Sequence, residues 1–118
     1  MLISDPQNKF IKLDDLNLHY LEWGTPGKPP MVMLHGYGDT AWLFKRMGRQ
    51  FETTHHLFSL DLRGHGQTTE DEPGQRPQIV WVSDLEKFLD SRGLLVIIKQ
   101  LGTWVYSPFK MIKYILKG

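Results

Sequence analysis

The chain has 118 residues, 41% of them hydrophobic and 23% charged, with a formal net charge of +1. That length fits one small domain, the composition is globular and not disordered, and the charge gives no reason to expect a nucleic-acid partner. With no cysteine, a disulfide framework, a thiolate nucleophile and a cysteine-ligated metal are all excluded.

The first residues, Met1 to Phe10, include Asp5, Pro6, Gln7 and Asn8 and show no apolar leader core. No apolar run reaches the ~20 residues needed to span a bilayer, so the expected location is cytoplasmic. Two short strand-like runs follow, Phe10–Leu13 and Asn17–Trp23, joined by a turn at Asp14-Asp15. In the second run Leu16, Leu18 and Tyr20 alternate with Asn17 and His19, which predicts one buried and one wetter face. A Pro- and Gly-rich loop over residues 24–30 leads into Met31–Leu34. That uninterrupted apolar run predicts a strand covered on both faces.

After His35-Gly36-Tyr37-Gly38, Asp39 or Thr40 can cap a helix over Ala41–Phe51, with Trp42, Leu43, Met47 and Phe51 as candidate buried positions. The next apolar strand, Leu57–Leu60, ends in Asp61-Leu62-Arg63-Gly64-His65-Gly66. His55-His56 reads as a solvated helix end and not a metal site, because no further ligand sits at suitable spacing. Residues 67–78 are polar and predict a surface loop. Trp81, Val82, Leu85, Phe88 and Leu89 lie at helical spacing, with Asp84 early, Arg92 late and Gly93 as a C-cap. Leu94–Ile98 reads as a third apolar strand. Strand, helix, strand, helix, strand after a hairpin predicts α/β architecture with mainly parallel pairing.

Charge divides the chain. Residues 1–90 hold nine basic and thirteen acidic side chains, a net of −4, whereas Arg92, Lys99, Lys110, Lys113 and Lys117 face no acid in residues 91–118. Within this tail, Ser107 and Pro108 can open a short helix carrying Phe109, Ile112 and Leu116 on one face and lysines on another. A basic amphipathic helix can lie on an anionic membrane, but three turns are marginal alone, and membrane contact by the tail is not expected.

The segments His35-Gly36-Tyr37-Gly38 and Asp61-Leu62-Arg63-Gly64-His65-Gly66 resemble the α/β-hydrolase superfamily. Leu18–Gly24 resembles its second strand, Val82–Asp90 the helix before its nucleophile, and Trp42 a tryptophan often found after the first motif. Four segments in the right order are more specific than any one. The resemblance covers roughly residues 10–95 and implies an incomplete α/β-hydrolase-type sheet, an N-terminal hairpin plus mainly parallel strands with flanking helices. It implies that residues 1–98 are the N-terminal part of such a domain and 99–118 an atypical basic tail, as truncation, altered splicing or a frame change would produce.

The resemblance also implies a site. Acyl transfer builds negative charge on a former carbonyl oxygen, and fixed backbone donors stabilise it. The family takes one donor from the residue after His-Gly, here the N–H of Tyr37, so His35, Gly36, Tyr37 and Gly38 are expected to form an oxyanion-hole loop. Asp61 and His65, four apart, suggest a catalytic pair. The glycines favour instead a structural turn of Asp61, Arg63, Gly64, His65 and Gly66.

The nucleophile turn Gly-x-Ser-x-Gly should follow the third strand, yet Lys99–Val105 contains nothing of the kind. Serines 4, 59, 83, 91 and 107 lack the flanking glycines, and neither an acid nor a histidine follows Asp90. No catalytic residue is assigned, no cofactor or metal is expected, and the chain alone is expected to be inactive. Its intact family would act on a small-molecule substrate carrying an ester or related bond. Two alternatives stand beside this reading. The chain could serve as a non-catalytic partner-binding fragment. Gly36-x-Gly38-x-x-Ala41 with Asp61 also matches the outline of a dinucleotide-binding βαβ module. Unpaired sheet edges predict self-association and an isolated chain that is poorly soluble, oligomeric or partly unfolded.

Overall fold

The structure is a computed structural model that describes residues 2–36, 38–68, 78–94, 104–107 and 110–113. The chain opens with the expected hairpin, β1 (Ile3–Leu13) and β2 (Leu16–Gly24). Its two-residue turn is made possible by Asp14 at φ 54°, a left-handed conformation that aspartate tolerates better than most residues. β3 (Pro30–Leu34) and β4 (His56–Leu60) form where the apolar runs predict them. β5 (Trp104–Ser107) and β6 (Lys110–Lys113) complete a sheet in the order β1-β2-β4-β3-β5-β6.

The expectation of mainly parallel pairing is corrected. β1 with β2, β2 with β4, and β5 with β6 are antiparallel; β3 runs parallel to β4 and to β5. The reason is connection length. A parallel neighbour needs a crossover of a dozen or more residues, which only the β3–β4 and β4–β5 connections supply, while the other strands join through short links.

Two helical layers cover the sheet. On one face α2 (Gln78–Ser91) buries Leu85, Phe88 and Leu89 against Leu18, Tyr20, Val32, Phe58 and Leu60. On the other, Ala41 and Phe44 pack on Leu21, Trp23, Met33 and Leu57. β2 is therefore buried on both faces, and His19, expected on a wetter face, is fully buried. α2 is tied down by Arg63, whose Nε and Nη2 reach the two oxygens of Asp84 at 3.0 and 2.9 Å. It is tied again by Arg92 on Glu22. Its last turn passes into Gly93 at φ 69°, as the C-cap reading expects, whereas Val82 points outward.

The helix expected over Ala41–Phe51 is shorter and changes pitch. A 3₁₀ turn, Ala41–Phe44, leads into α1, Lys45–Gly48. Three residues per turn and then nearly four place Ala41, Phe44 and Gly48 inward. Trp42 and Leu43, expected to be buried, are exposed, while Met47 and Phe51 are half-buried. Gly48 lies so close to Trp23 that a Cβ there would collide with the indole.

In the tail, the helix expected from Ser107 and Pro108 is corrected to a hairpin. Lys110–Lys113 pairs antiparallel with Trp104–Ser107, and Trp104–Ser107 takes the open edge of β3. Aromatic and β-branched residues suit a strand, and pairing outcompetes a three-turn helix with nothing to pack on. Residues 95–98 of the expected third strand and residues 69–77 of the expected loop lie outside the described residues.

Candidate functional site

Because β3 and β4 are parallel neighbours with Leu34 beside Leu60, the segments that follow them emerge side by side at one edge of the sheet. His35 thus lies against Leu62 and His65, and Gly38 against His65. Tyr37 lies outside the described residues.

Two imidazoles join the segments. His35, buried, donates from Nδ1 to the carbonyl of Gly36 at 2.6 Å and accepts the N–H of Leu62 on Nε2 at 3.0 Å. His65 donates from Nδ1 to the carbonyl of Arg63 at 3.1 Å and accepts the N–H of Gly38 on Nε2 at 2.9 Å. The rings lie 5.0 Å apart, and Trp81 of α2 stands edge-on to His65. A ring nitrogen that accepts a backbone N–H cannot carry a proton, so His35 is neutral in this arrangement. Burial holds the His35 imidazole below its ordinary value of 6.5, helped by nearby His65; the Gly36 carbonyl, Asp61 and Asp39 act in the opposite sense.

Asp61, also buried, organises the turn. Its Oδ1 accepts the N–H of Ala41 at 2.7 Å; its Oδ2 accepts Nδ1 of His19 at 2.6 Å and the N–H of Gln67 at 2.9 Å. The far nitrogen of His19 lies 2.8 Å from Oδ1 of Asn8. Thr68 bridges the same strands, accepting the His19 N–H and donating to the Asp61 carbonyl. Asp61 and His65 thus have different partners in the bonds described above, and nothing in these contacts pairs them for proton transfer. Gly66 turns at φ 51°, where a Cβ would collide with the Asp61 carboxylate.

Sequence reasoning missed His19, Thr68 and Ser59 as members of this cluster. Ser59 is fully buried and donates to the Ala41 carbonyl at 2.7 Å, so it serves the start of the 3₁₀ turn. A polar residue inside an apolar run was the available signal, since such a group must find a partner once buried. His56, expected at a solvated helix end, instead begins β4 and lies 2.7 Å from Glu22. Burial pushes the Glu22 carboxyl up, but the His56 hydrogen bond and the charges of Arg92, Lys9 and His56 outweigh it and hold it below 4.5. Among the described residues no group of three or more His, Asp or Glu side chains is placed to hold a metal ion, and no helix is long and apolar enough to cross a membrane.

No family model matches the chain. Human epoxide hydrolase 4 is 32% identical over 99 residues, covering 77% of this chain and 27% of the relative. A haloalkane dehalogenase from Bradyrhizobium elkani superimposes with a TM-score of 0.74 at 17% identity, over 87% of this chain and 33% of its own. An α/β hydrolase from Novosphingobium aromaticivorans matches with a TM-score of 0.69 at 22% identity, over 76% and 33%. The chain spans about a quarter of the length of the human relative.

Proposed function

Because this chain is an α/β-hydrolase-fold protein that spans a third or less of its relatives, we propose that residues 35–38 are an oxyanion loop without a nucleophile to serve. Residues 61–66 are the turn that braces it. The observation that carries this reading is the clamp between the two segments, Gly38 N–H on His65 and Leu62 N–H on His35. It fixes the backbone on both sides of Tyr37, and preorganised donors are what the chemistry needs. Gly38 is not itself the donor, because its N–H is already engaged. The family resemblance gives that role to the Tyr37 amide.

The whole fold would take a small molecule with a polarised carbon–oxygen bond, an ester or, as the human relative's name suggests, an epoxide. The 118 residues alone turn over neither, since attack requires an activated nucleophile and no serine here sits in the presenting turn. The reading keeps the cytoplasmic location expected from the sequence, to be checked by fractionation. Residues 1–98 are its hydrolase-like part and 99–118 its atypical tail.

Titration of the labelled chain with methylphosphonate, followed by amide NMR, tests the loop. The Tyr37 amide should move and the Gly38 amide stay in place. Fluorophosphonate should label no side chain, and no short-chain nitrophenyl ester should be turned over. Labelling at a single residue would show that the chain presents a working nucleophile and would overturn the reading.

A partner-binding role has its own support, because β1 and β6 each pair on one side only in the sheet order and unpaired edges invite a further strand. Light scattering that finds only monomer would remove it. The dinucleotide alternative loses its geometric basis: Asp61 is buried, and its carboxylate occupies the first N–H of the 3₁₀ turn, where a pyrophosphate would have to sit.

A further inference from the structure

The change of pitch at Phe44 leaves one surface that the hydrophobic core does not explain. Trp42 is 41% exposed and Leu43 47%. With Lys45, Arg46 and Arg49 they line an open groove of about 370 Å³. All three cations are exposed, and none forms an ion pair among the described residues. Lys45 Nζ lies 5.9 Å from the centre of the Trp42 ring. Between Thr40 and Phe51 the chain carries no acid at all.

The platform beneath is rigid. Ala41 is held at its N–H by Asp61 and at its carbonyl by Ser59, and Phe44 is locked in the core. Presenting the five side chains therefore costs little ordering of the backbone, which favours association. The groove is open, and its five lining residues are exposed or charged, with no buried polar group to orient a small ligand. An indole next to a leucine, ringed by cations on long aliphatic stems, matches what the headgroup region of a bilayer accepts. Tryptophan settles at that depth, and lysine and arginine lay their stems along apolar material while the charge stays wet.

We propose that the face formed by Trp42, Leu43, Lys45, Arg46 and Arg49 docks on an anionic bilayer surface, with Trp42 and Leu43 at headgroup level and the three cations against acidic headgroups. Each cation near such a surface raises affinity about fivefold, so charge supplies most of the attraction and the two apolar side chains set the depth. The basic tail takes no part. The proposal does not depend on the oxyanion loop.

The test is co-sedimentation of the full chain with vesicles of phosphatidylcholine alone and of phosphatidylcholine with phosphatidylserine. The chain should bind the acidic vesicles and release them on raising salt, as exposed charge pairs are screened. K45Q/R46Q/R49Q should weaken binding about a hundredfold, and W42S/L43S should weaken it while leaving the salt dependence in place. K110Q/K113Q/K117Q should bind as the parent does. All changed positions in the groove are exposed, and matched circular dichroism spectra will confirm that folding is unaltered. Equal binding to neutral vesicles, loss of binding through the tail substitutions alone, or no binding to acidic vesicles would each overturn the proposal.

Discussion

Gly38 gives its backbone N–H to Nε2 of His65 at 2.9 Å, and the same ring returns its Nδ1 proton to the backbone of Arg63. One side chain therefore reads the position of one segment and reports it to the next. His65→Ala removes the acceptor and leaves the Gly38 N–H to water. A typical internal hydrogen bond is worth about 0.5–1.5 kcal/mol, so exchange of the Gly38 amide should accelerate by about two- to tenfold. Unchanged exchange would mean that the loop is held by other contacts.

Acid should loosen the same clamp. His35 in the folded chain protonates below its ordinary value of 6.5, chiefly because it is buried. The unfolded chain then binds the proton first as pH falls, and unfolding is favoured. Stability is full above 6.5 and declines as the pH drops toward the folded value. Glu22, held below 4.5, adds a second decline in the same direction at lower pH. Urea midpoints recorded from neutral pH to about pH 4 should fall monotonically. A midpoint that rises on acidification would contradict both groups.

Asp61→Asn should be far more costly than its size suggests. Both carboxylate oxygens receive donors, Ala41 on one and His19 with Gln67 on the other. An amide placed either way round points its own N–H at a donor and leaves it unpaired. Leaving a buried donor unpaired costs about 1–3 kcal/mol, and a lowered urea midpoint is the expected readout. A variant that unfolds at the parent's urea concentration would show that the cluster is not organised by its charge.

Gly66→Ala and Gly27→Ala separate strain from collision. Both positions have positive φ, but a methyl at Gly27 meets nothing within 4 Å while one at Gly66 strikes the Asp61 carboxylate. The left-handed backbone alone costs about 1–2 kcal/mol. Overpacking adds about 1–3 kcal/mol more at Gly66. Equal losses at the two sites would remove the close approach from the account.

Val105→Pro tests the tail. Val105 faces Val32 on one side and Ile112 on the other in the sheet register, and proline cannot donate to a ladder. Freeing the edge of β3 should speed amide exchange at Val32 and Met33 and increase association of the chain. An unaffected β3 would mean that the hairpin contributes nothing to the sheet.

The hairpin, β3, β4 and α2 were legible because each carries a local signal: a polar turn, an apolar run, a helical period with a terminal glycine. What failed needed a neighbour. His19 alternates as a solvent-facing residue would, and Asn8 and Phe10 of β1 with Asp61 and Thr68 of the turn after β4 surround it. Trp42 and Leu43 looked like core at 3.6 residues per turn, and a short stretch at three per turn rotated them out. Tail residues 110–113 have a passable helical pattern, but the unfilled edge of β3 offers a better partner than solvent does. The two glycine-rich motifs marked the loops that follow β3 and β4, yet nothing in their spacing revealed that imidazoles would tie them together.

Among the described residues, the bonds around Asp61 draw on residues from Asn8 to Thr68. A nascent polypeptide therefore has these donors and acceptors in hand before α2 leaves the ribosome, and domains build from their first-made end during synthesis. The opposite face, Leu18, Tyr20 and Phe58, stays bare until Leu85, Phe88 and Leu89 arrive to cover it. In that interval a chaperone would find its sticky target on the α2 side and not at the knot.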